Sequence, residues 1–395
     1  MTKRESKADL FCFSSPKEEQ KEKHLDSQTT FCPNADCPAK GQTGKGNIRI
    51  HSRQDQRYKC KECGQTFTET KGTPFYRLHH PPDLLVRVVT LLAHGCPPQA
   101  IVAAFGLDER TVSDWQQRAA AQCRQVHEHL VAHPRDLGEV QADELRVKRQ
   151  GAIVWVALAM QTATRLWLGG VVSEHRDRWL ITRLIEQVRH GALCLPLLLV
   201  TDGLAAYGTA WRKVFRDKVA RVGRGRCRLQ SWAGLCYAQV IKRYHERRVV
   251  AVERRIKAGE PEQVEALRHQ AHESSVLNTA FIERLNATFR GRLTSLVRRT
   301  RALARRTATI EQGMWLVGTL YNFCTAHESL RVPCVTAARR FDERTPAMAA
   351  GITDHLWSVK ELLWYRVAPP RWRPPKRRGR MSQAMKLTIA RWCHA

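Results

Sequence analysis

Acidic residues are scarce in this chain of 395 residues. Asp and Glu number 37 against 66 Lys and Arg, which gives a formal net charge of +29 and a pI near 10.2. A surface this basic repels itself unless it meets a polyanion, and nucleic-acid phosphate is the usual one. The charge balance therefore predicts a nucleic-acid partner.

Long apolar runs are missing as well. No segment approaches the roughly 20 apolar residues that span a bilayer, and residues 1–7 lack the apolar core of a secretory signal. The 13 cysteines are odd in number and scattered, which argues against a disulfide framework. We expect a cytoplasmic, nucleoid-associated protein with no membrane partner.

With 43% hydrophobic residues, the chain is long enough for two or three domains with real cores. Composition and periodicity predict a multidomain α+β/α/β protein with five segments: a flexible polar arm (1–30), a cysteine module (31–76), a helical domain (80–132), a larger domain of strands and helices (137–335) and a basic C-terminal extension (336–395).

Within the larger segment, near-continuous apolar runs predict strands at 151–160, 166–172 and 195–200, and helical spacing predicts a helix over 177–189. Helix dominates from 278 to about 322. The pattern of 240–247 and 249–256 fits either a hairpin or a helix.

Four cysteines have the spacing of metal ligands: Cys32, Cys37, Cys60 and Cys63. Two close thiol pairs separated by a loop can close a tetrahedral Zn²⁺ site, and the metal supplies folding energy that a module of this size lacks. The alternative is four free buried cysteines. We predict a structural zinc ribbon.

Residues 99–115 have the pattern of a helix-turn-helix, in which Gly106 makes the turn, Asp108 caps the second helix, and Val112 and Trp115 face the core. Any three-helix domain can show this pattern. If the second helix reads DNA, the side chains that would reach the major groove are Arg110, Thr111, Ser113, Asp114, Gln116 and Gln117.

Three acidic residues stand where a metal-dependent DNA-cutting site would need them. Asp143 precedes one apolar run, Asp202 ends another, and Glu283 lies in an arginine-rich helix. Carboxylates from such segments can hold divalent cations that assist phosphate displacement. Each residue alone is more often a turn, a cap or an ion-pair partner. Rival ligands that spacing leaves open are Glu144, Glu246, Glu253 and Glu273.

Residues 284–310 contain no acid, although an ordinary solvated face mixes both signs of charge. This stripe suits phosphate tracking. Its basic residues are Arg284, Arg290, Arg292, Arg298, Arg299, Arg301, Arg305 and Arg306.

Taken in order, these motifs resemble a DDE transposase of the insertion-sequence-one type, over roughly residues 31–365. The resemblance rests on the cysteine module with 72–75, on 143–145, on 201–207, on 282–286, on 321–324 with His327, and on 344–351. It implies a ribonuclease-H-like catalytic domain in which Asp143, Asp202 and Glu283 hold Mg²⁺ or Mn²⁺.

The resemblance further implies that Arg284 and Asn286 lie beside the site and that Arg290 faces the DNA strand. Residues 215–270 then form an insertion, since the stretch between Asp202 and Glu283 is longer than a compact domain needs. The implied function is binding of the terminal inverted repeats of an insertion sequence, followed by DNA cleavage and strand transfer. The partners would be double-stranded DNA, at transposon ends and target, and further copies of the chain, with no small-molecule substrate.

Two other functions remain open: a catalytically inactive, transposase-derived DNA-binding regulator, and a ribonuclease-H-like nuclease. The regulator would bind DNA ends without Mg²⁺-dependent nicking. The nuclease would lack sequence-specific binding through residues 99–120.

Overall fold

The structure is a computed structural model that describes residues 26–219, 226–246, 248–272, 276–297, 302–334, 340–374 and 379–393. Most of the predicted arm, residues 1–25, lies outside this description, as do Glu273, Arg298, Arg299 and Arg301. The chain separates into two compact units, one formed by 1–71 with 368–395 and the other by 72–367.

The described residues contain 13 strands: β1 (Ile48–Ser52), β2 (Arg57–Cys60), β3 (Thr66–Thr68), β4 (Glu139–Arg149), β5 (Ala152–Gln161), β6 (Trp167–Ser173), β7 (Leu197–Thr201), β8 (Arg216–Val219), β9 (Arg228–Ser231), β10 (Leu235–His245), β11 (Arg248–Ala258), β12 (Val332–Pro333) and β13 (Phe341–Asp342).

The same residues contain 11 α-helices: α1 (Pro82–Ala93), α2 (Pro98–Phe105), α3 (Glu109–Leu130), α4 (Arg178–His190), α5 (Ala205–Val214), α6 (Pro261–Ala271), α7 (Ala280–Arg292), α8 (Thr307–Cys324), α9 (Pro346–Ala349), α10 (Val359–Trp364) and α11 (Gln383–Trp392). No described helix is long and apolar enough to cross a membrane.

The first unit is built on the antiparallel sheet β1-β2-β3. Its small core contains the cysteines, Tyr58, Phe67 and, from α11, Trp392. The side chain of Gln42 donates to the backbone oxygen of Trp392 at 3.1 Å. Thus the C-terminal helix packs on the cysteine module and enlarges a core that would otherwise hold few apolar side chains.

The second unit is organised around a six-stranded mixed sheet with the order β11-β10-β7-β4-β5-β6. Strands β4, β7 and β10 are mutually parallel, whereas β5, β6 and β11 run antiparallel to their neighbours. The carboxyl ends of the three parallel strands therefore lie at one edge of the sheet. The predicted fold class is confirmed at this level: a mixed α/β protein with a mixed sheet.

Helices cover both faces of this sheet because strands β5 and β7 are apolar on both sides. Helices α4 and α5 pack on one face, against Ala142 and Leu199 among others. Helices α6, α7 and α8 pack on the opposite face, against β4, β5, β7 and β10.

Helices α1, α2 and α3 share the first of these apolar cores, through side chains such as Leu85, Ile101 and Trp115. Gly106 adopts φ 61° at the end of α2, and Asp108 caps α3 by accepting the backbone N–H of Arg110 at 2.7 Å. The turn and the cap predicted from the sequence are confirmed. Val112 and Trp115 are buried, also as predicted.

The ambiguous segment forms a hairpin, β10–β11. Only the first half of β10, up to Gln239, pairs with β7, so the rest of the hairpin continues past that strand on the side of its carboxyl end. Several apolar side chains of this extension are exposed, including Tyr244, Val249 and Val250.

Candidate active site

The two predicted aspartates lie where strands β4 and β7 part. The last paired residues of these parallel strands are Gln141 and Val200. Asp143 lies two positions further along β4, and Asp202 follows directly after the end of β7. The strands that follow β4 in the chain lie on both sides of it: β5 and β6 on one side, and β7 and β10 on the other. Strand β4 is therefore the point where the strand order reverses. A crevice at the carboxyl ends of parallel strands, beside such a point, is the usual binding position in open sheets.

Asp143 is held in a largely buried, acidic environment. Its Oδ1 accepts the backbone N–H of Glu144 at 2.8 Å. The pKa of Asp143 is raised to about 6, first by burial and then by the charges of Asp202 and Glu283, against the lowering effects of that hydrogen bond and of Arg290. Carboxylates with raised pKa values in a crevice are characteristic of functional sites.

Glu144 completes the acidic group, and its side chain has no exposed surface. Burial, followed by the charge of Asp202, raises its pKa to about 7, although Arg176 opposes the shift. One Nη of Arg176 contacts Glu144 at 3.2 Å and Asp202 at 3.5 Å. Among the described residues, the second oxygen of Glu144 and the buried hydroxyl of Tyr207 find no hydrogen-bond partner.

Helix α7 is tied to β4 by two amide side chains. Gln141 accepts the N–H of Ile282 at 3.1 Å and donates to the carbonyl of Asn278 at 2.8 Å. One turn further along the helix, Asn286 donates to Oδ2 of Asp143 at 2.7 Å. These contacts fix the first turn of α7, which carries Glu283, above the crevice.

Glu283 is half-exposed and already engaged. Its Oε1 accepts a hydrogen bond from Thr279 at 2.6 Å and forms an ion pair with Lys242 of β10. Its charge acts on Asp143, but the group whose ligand atoms lie within 4.8 Å of one another consists of Asp143, Glu144 and Asp202.

The other rival carboxylates have different surroundings. Glu253, on β11, pairs with Arg243 and Arg255, and Glu246 lies in the turn of the hairpin at φ 46°. Among the rivals that the structure describes, only Glu144 joins the aspartates.

This donor set fits a divalent cation such as Mg²⁺. All its donors are carboxylate oxygens, which hard cations prefer, and their spacing lets one ion reach an oxygen from each residue. A bound ion would also offset the repulsion that raises the pKa values of Asp143 and Glu144, and its water ligands suit the unpartnered oxygens of Glu144 and Tyr207.

The four predicted cysteine ligands come together in the first unit. The sulfur atoms of Cys32 and Cys63 are 3.7 Å apart, and those of Cys37 and Cys60 are 3.8 Å apart. A tetrahedron with Zn–S distances of about 2.3 Å separates its sulfur atoms by about 3.8 Å. The group can therefore hold a metal ion such as Zn²⁺, with Cys32, Cys37 and Cys60 buried.

The predicted groove-reading residues lie along the first turns of α3. Arg110, Ser113 and Gln117 are exposed, and Thr111 and Gln116 are partly buried. Two of them, Ser113 and Gln116, line a cavity of about 320 Å³ together with residues between 293 and 313. Arg110 and Gln117 are exposed and do not line this cavity.

The arginines of α7 divide between its faces. Arg290 lies near Asp143, and its positive charge has a lowering effect on the pKa of that carboxyl. Arg284 and Arg292 line a separate cavity. Asn286, assigned by the resemblance to the DNA-contacting group, is 2% exposed and bonded to Asp143, so it has little surface to offer a nucleic acid.

Sequence reasoning missed three residues of the site. Gln141 had a weak signal, because it stands two positions before Asp143 and alternation along a strand puts both side chains on one face. Arg176 and Lys242 had none, since they lie in basic, exposed segments, and only the fold brings them to Glu144 and Glu283.

A scan against protein-family models gives no match to this sequence, and no curated protein matches it. The assignment of a function therefore rests on the residues and their geometry.

Proposed function

We propose that the protein is a DDE-type transposase, which binds the terminal inverted repeats of an insertion sequence and catalyses metal-dependent cleavage and strand transfer of DNA. The observation that carries the proposal is the meeting of Asp143 and Asp202 at the parting of two parallel strands, with Glu283 on a helix anchored above them. The strongly basic composition supports a nucleic-acid substrate.

The architecture supports a ribonuclease-H-like interpretation of residues 137–335. A mixed sheet with helices on both faces carries the acidic residues on adjacent central strands and on a covering helix, as that interpretation requires. The segment 215–270 would then be an insertion that adds the β8–β9 pair and lengthens the sheet by β10 and β11, whose hairpin extends beyond the crevice.

In this mechanism Asp143, Glu144 and Asp202 would hold the catalytic ions, and Glu283 would complete the site. Divalent ions of this kind polarise phosphoryl oxygens and lower the pKa of a bound water. Arg176 and Arg290 lie next to the carboxylates and would balance phosphate charge. Tyr207 is no candidate nucleophile, because burial raises its pKa well above the usual value and keeps the phenol protonated.

The test is a cleavage and strand-transfer assay with Mg²⁺ or Mn²⁺ on DNA that carries the repeats flanking the gene. Asp202→Asn removes a carboxylate from the crevice but keeps its shape, so we expect it to abolish cleavage and leave end binding intact. The matched control is Asp354→Asn, which removes an equal charge from a side chain that is 94% exposed and should leave cleavage unchanged.

Full cleavage by Asp202→Asn would refute the assignment of the triad. Tight end binding by the wild-type protein without nicking would identify a DNA-binding regulator. Cutting without regard to the terminal repeats would identify a nuclease.

A further inference from the structure

A second cavity, of about 390 Å³, lies beside α7 and is separate from the metal ligands, none of which lines it. Three arginines reach it: Arg284 and Arg292, which are two turns apart on α7, and Arg165, from the loop between β5 and β6. Thr288 lies between the two helical arginines in sequence and lines the same cavity. The helix thus presents one basic stripe to this cavity, and Glu283 does not line it.

These three guanidinium groups form no ion pair with a carboxylate in the part of the chain that the structure describes. Arg292 donates to the hydroxyl of Thr325 at 3.0 Å. Arg165 donates to the carbonyl of Thr162 and stacks 3.9 Å from the ring centre of Phe281, while its Nε is buried without a partner. Burial lowers the pKa of both Arg165 and Arg292, which reflects the cost of desolvating the charges.

Glu139 is the carboxylate whose charge acts on Arg165. Its Oε1 already accepts hydrogen bonds from Gln141 at 2.9 Å and from Thr162 at 3.1 Å. Among the described residues, no carboxylate lines the cavity, so its positive charge is not neutralised from within, and planar guanidinium groups match phosphate oxygens well.

The remaining walls are suited to more than a bare anion. Phe281 and Met160 are apolar, Tyr321 brings a hydroxyl group, and His327 brings ring nitrogens. Burial, with the charges of Arg165 and Arg284, lowers the pKa of His327, so its ring is neutral near pH 7 and able to accept a hydrogen bond. The volume is within the range of small-ligand pockets, and an apolar wall beside arginines suits a sugar or base attached to a phosphate.

We propose that this cavity binds a phosphate group carried by a nucleotide, other than the phosphate at the metal site. The nucleotide has two possible sources, a DNA strand or a free nucleotide. The first rests on the proposed function, because it makes the cavity a second point of attachment for DNA bound at the crevice. The second does not.

The DNA source is tested by the salt dependence of duplex binding without added Mg²⁺ or Mn²⁺, so that no cutting step is involved and a metal ion in the cysteine unit stays in place. Loss of one phosphate contact lowers the slope of log affinity against log salt by about 0.9. We expect that decrease for Arg292→Gln and for Arg165→Gln. The control Arg183→Gln removes the same charge from an exposed side chain paired with Glu186 on α4, and should keep the wild-type slope.

Arg292→Lys keeps the charge but loses the planar fork, so it should keep the slope and bind more weakly. Thermal unfolding of each variant shows whether it is folded. If Arg165→Gln fails to fold, Arg292→Gln carries the test.

The free-nucleotide source is tested by the thermal midpoint in deoxyadenosine monophosphate against deoxyadenosine at equal ionic strength. A rise in the wild-type midpoint that Arg292→Gln loses supports that source, and a smaller salt slope in the two Gln variants supports DNA. Unchanged slopes in folded variants together with no nucleotide-dependent shift would overturn the proposal. Neither the salt slope nor the thermal midpoint involves DNA cutting. Both can therefore be interpreted even if the cleavage assay fails.

Discussion

Asp143 and Glu144 are consecutive residues of one strand, so their side chains leave it on opposite faces of the sheet. Asp143 turns toward Asn286 of α7, and Glu144 toward Arg176 and the face that α5 covers. Both can still offer an oxygen to one ion, because β4 has no partner on the β7 side beyond Gln141. Because β4 and β7 separate here, Asp143 and Glu144 can bind the same ion although their side chains leave the strand on opposite faces.

The raised pKa values make stability depend on pH. The folded protein holds protons on Asp143, with a pKa of about 6, and on Glu144, with a pKa of about 7, more tightly than the unfolded chain does. Their stabilising contribution is complete below the unfolded pKa near 4 and is lost as pH rises through these folded values. For Glu144→Gln, the metal-free free energy of unfolding should therefore fall less between pH 5 and pH 8 than it does in the wild type, by on the order of 2 kcal/mol.

Urea unfolding at the two pH values measures this difference. Groups that titrate alike in the wild type and in Glu144→Gln contribute equally to both and cancel in the comparison. Added Mg²⁺ should stabilise the wild type more at pH 8 than at pH 5, because the ligands must lose their protons to bind it. Equal pH slopes in the two proteins would show that Glu144 ionises normally in the fold.

The contact between helix α8 and strand β6 is unusually close, and a glycine makes it possible. A Cβ at Gly318 would lie 2.4 Å from ring atoms of Trp167, which is itself fully buried. We expect Gly318→Ala to lower the free energy of unfolding by about 1–3 kcal/mol, because the packed indole cannot move aside. Chemical denaturation measures the effect.

Gly291 is the matched control, since a Cβ there meets nothing within 4 Å and the residue is in a helix. Gly291→Ala should be neutral or stabilising by up to about 1 kcal/mol. If Gly318→Ala also left the free energy of unfolding unchanged, the contact between α8 and Trp167 would be less tightly packed than the structure shows.

Elements with a clear period were predictable from the sequence, and the others were not. The apolar run before Asp202 and the amphipathic segment 177–189 predicted β7 and α4 nearly to the residue. The segment 278–322 read as mainly helix, but it is divided into α7 and α8, with the 3-10 turn at Thr294–Leu296 between them. The hairpin stayed ambiguous because its exposed half combines β-branched residues with charges on both faces.

The carboxylates of the site were predictable, but their relative roles were not. Sequence position identified Asp143, Asp202 and Glu283 and left Glu144 as a rival. That Glu144 joins the aspartates and that Lys242 engages Glu283 depends on strand register and on the path of β10. Such long-range pairings have no periodic signal in the chain.

At the scale of the molecule, the two compact units depend on different sources of stability. Residues 72–367 have a large apolar core, whereas the cysteine unit has a small one around its four thiols. We expect a strong chelator to unfold the cysteine unit selectively, because structural Zn²⁺ supplies much of the folding energy of such modules. Limited proteolysis should then cut rapidly between residues 31 and 71 and spare the larger unit.

Cys60→Ser should reproduce this behaviour and lose the bound metal, measured by elemental analysis. Cys194→Ser, at an exposed cysteine outside the group, is the control and should retain one metal ion per chain. Undiminished metal content in Cys60→Ser would exclude the four-cysteine site.

The central position of β4 has a consequence for how this gene can change. Ten consecutive residues of β4 pair with β5, and its start pairs with β7 as well, so the strand cannot slide to absorb an inserted codon. One extra residue just ahead of Asp143 would exchange the two faces of everything beyond it. A replacement near the crevice changes one side chain, but a single in-frame insertion there would turn the aspartate toward the wrong helices.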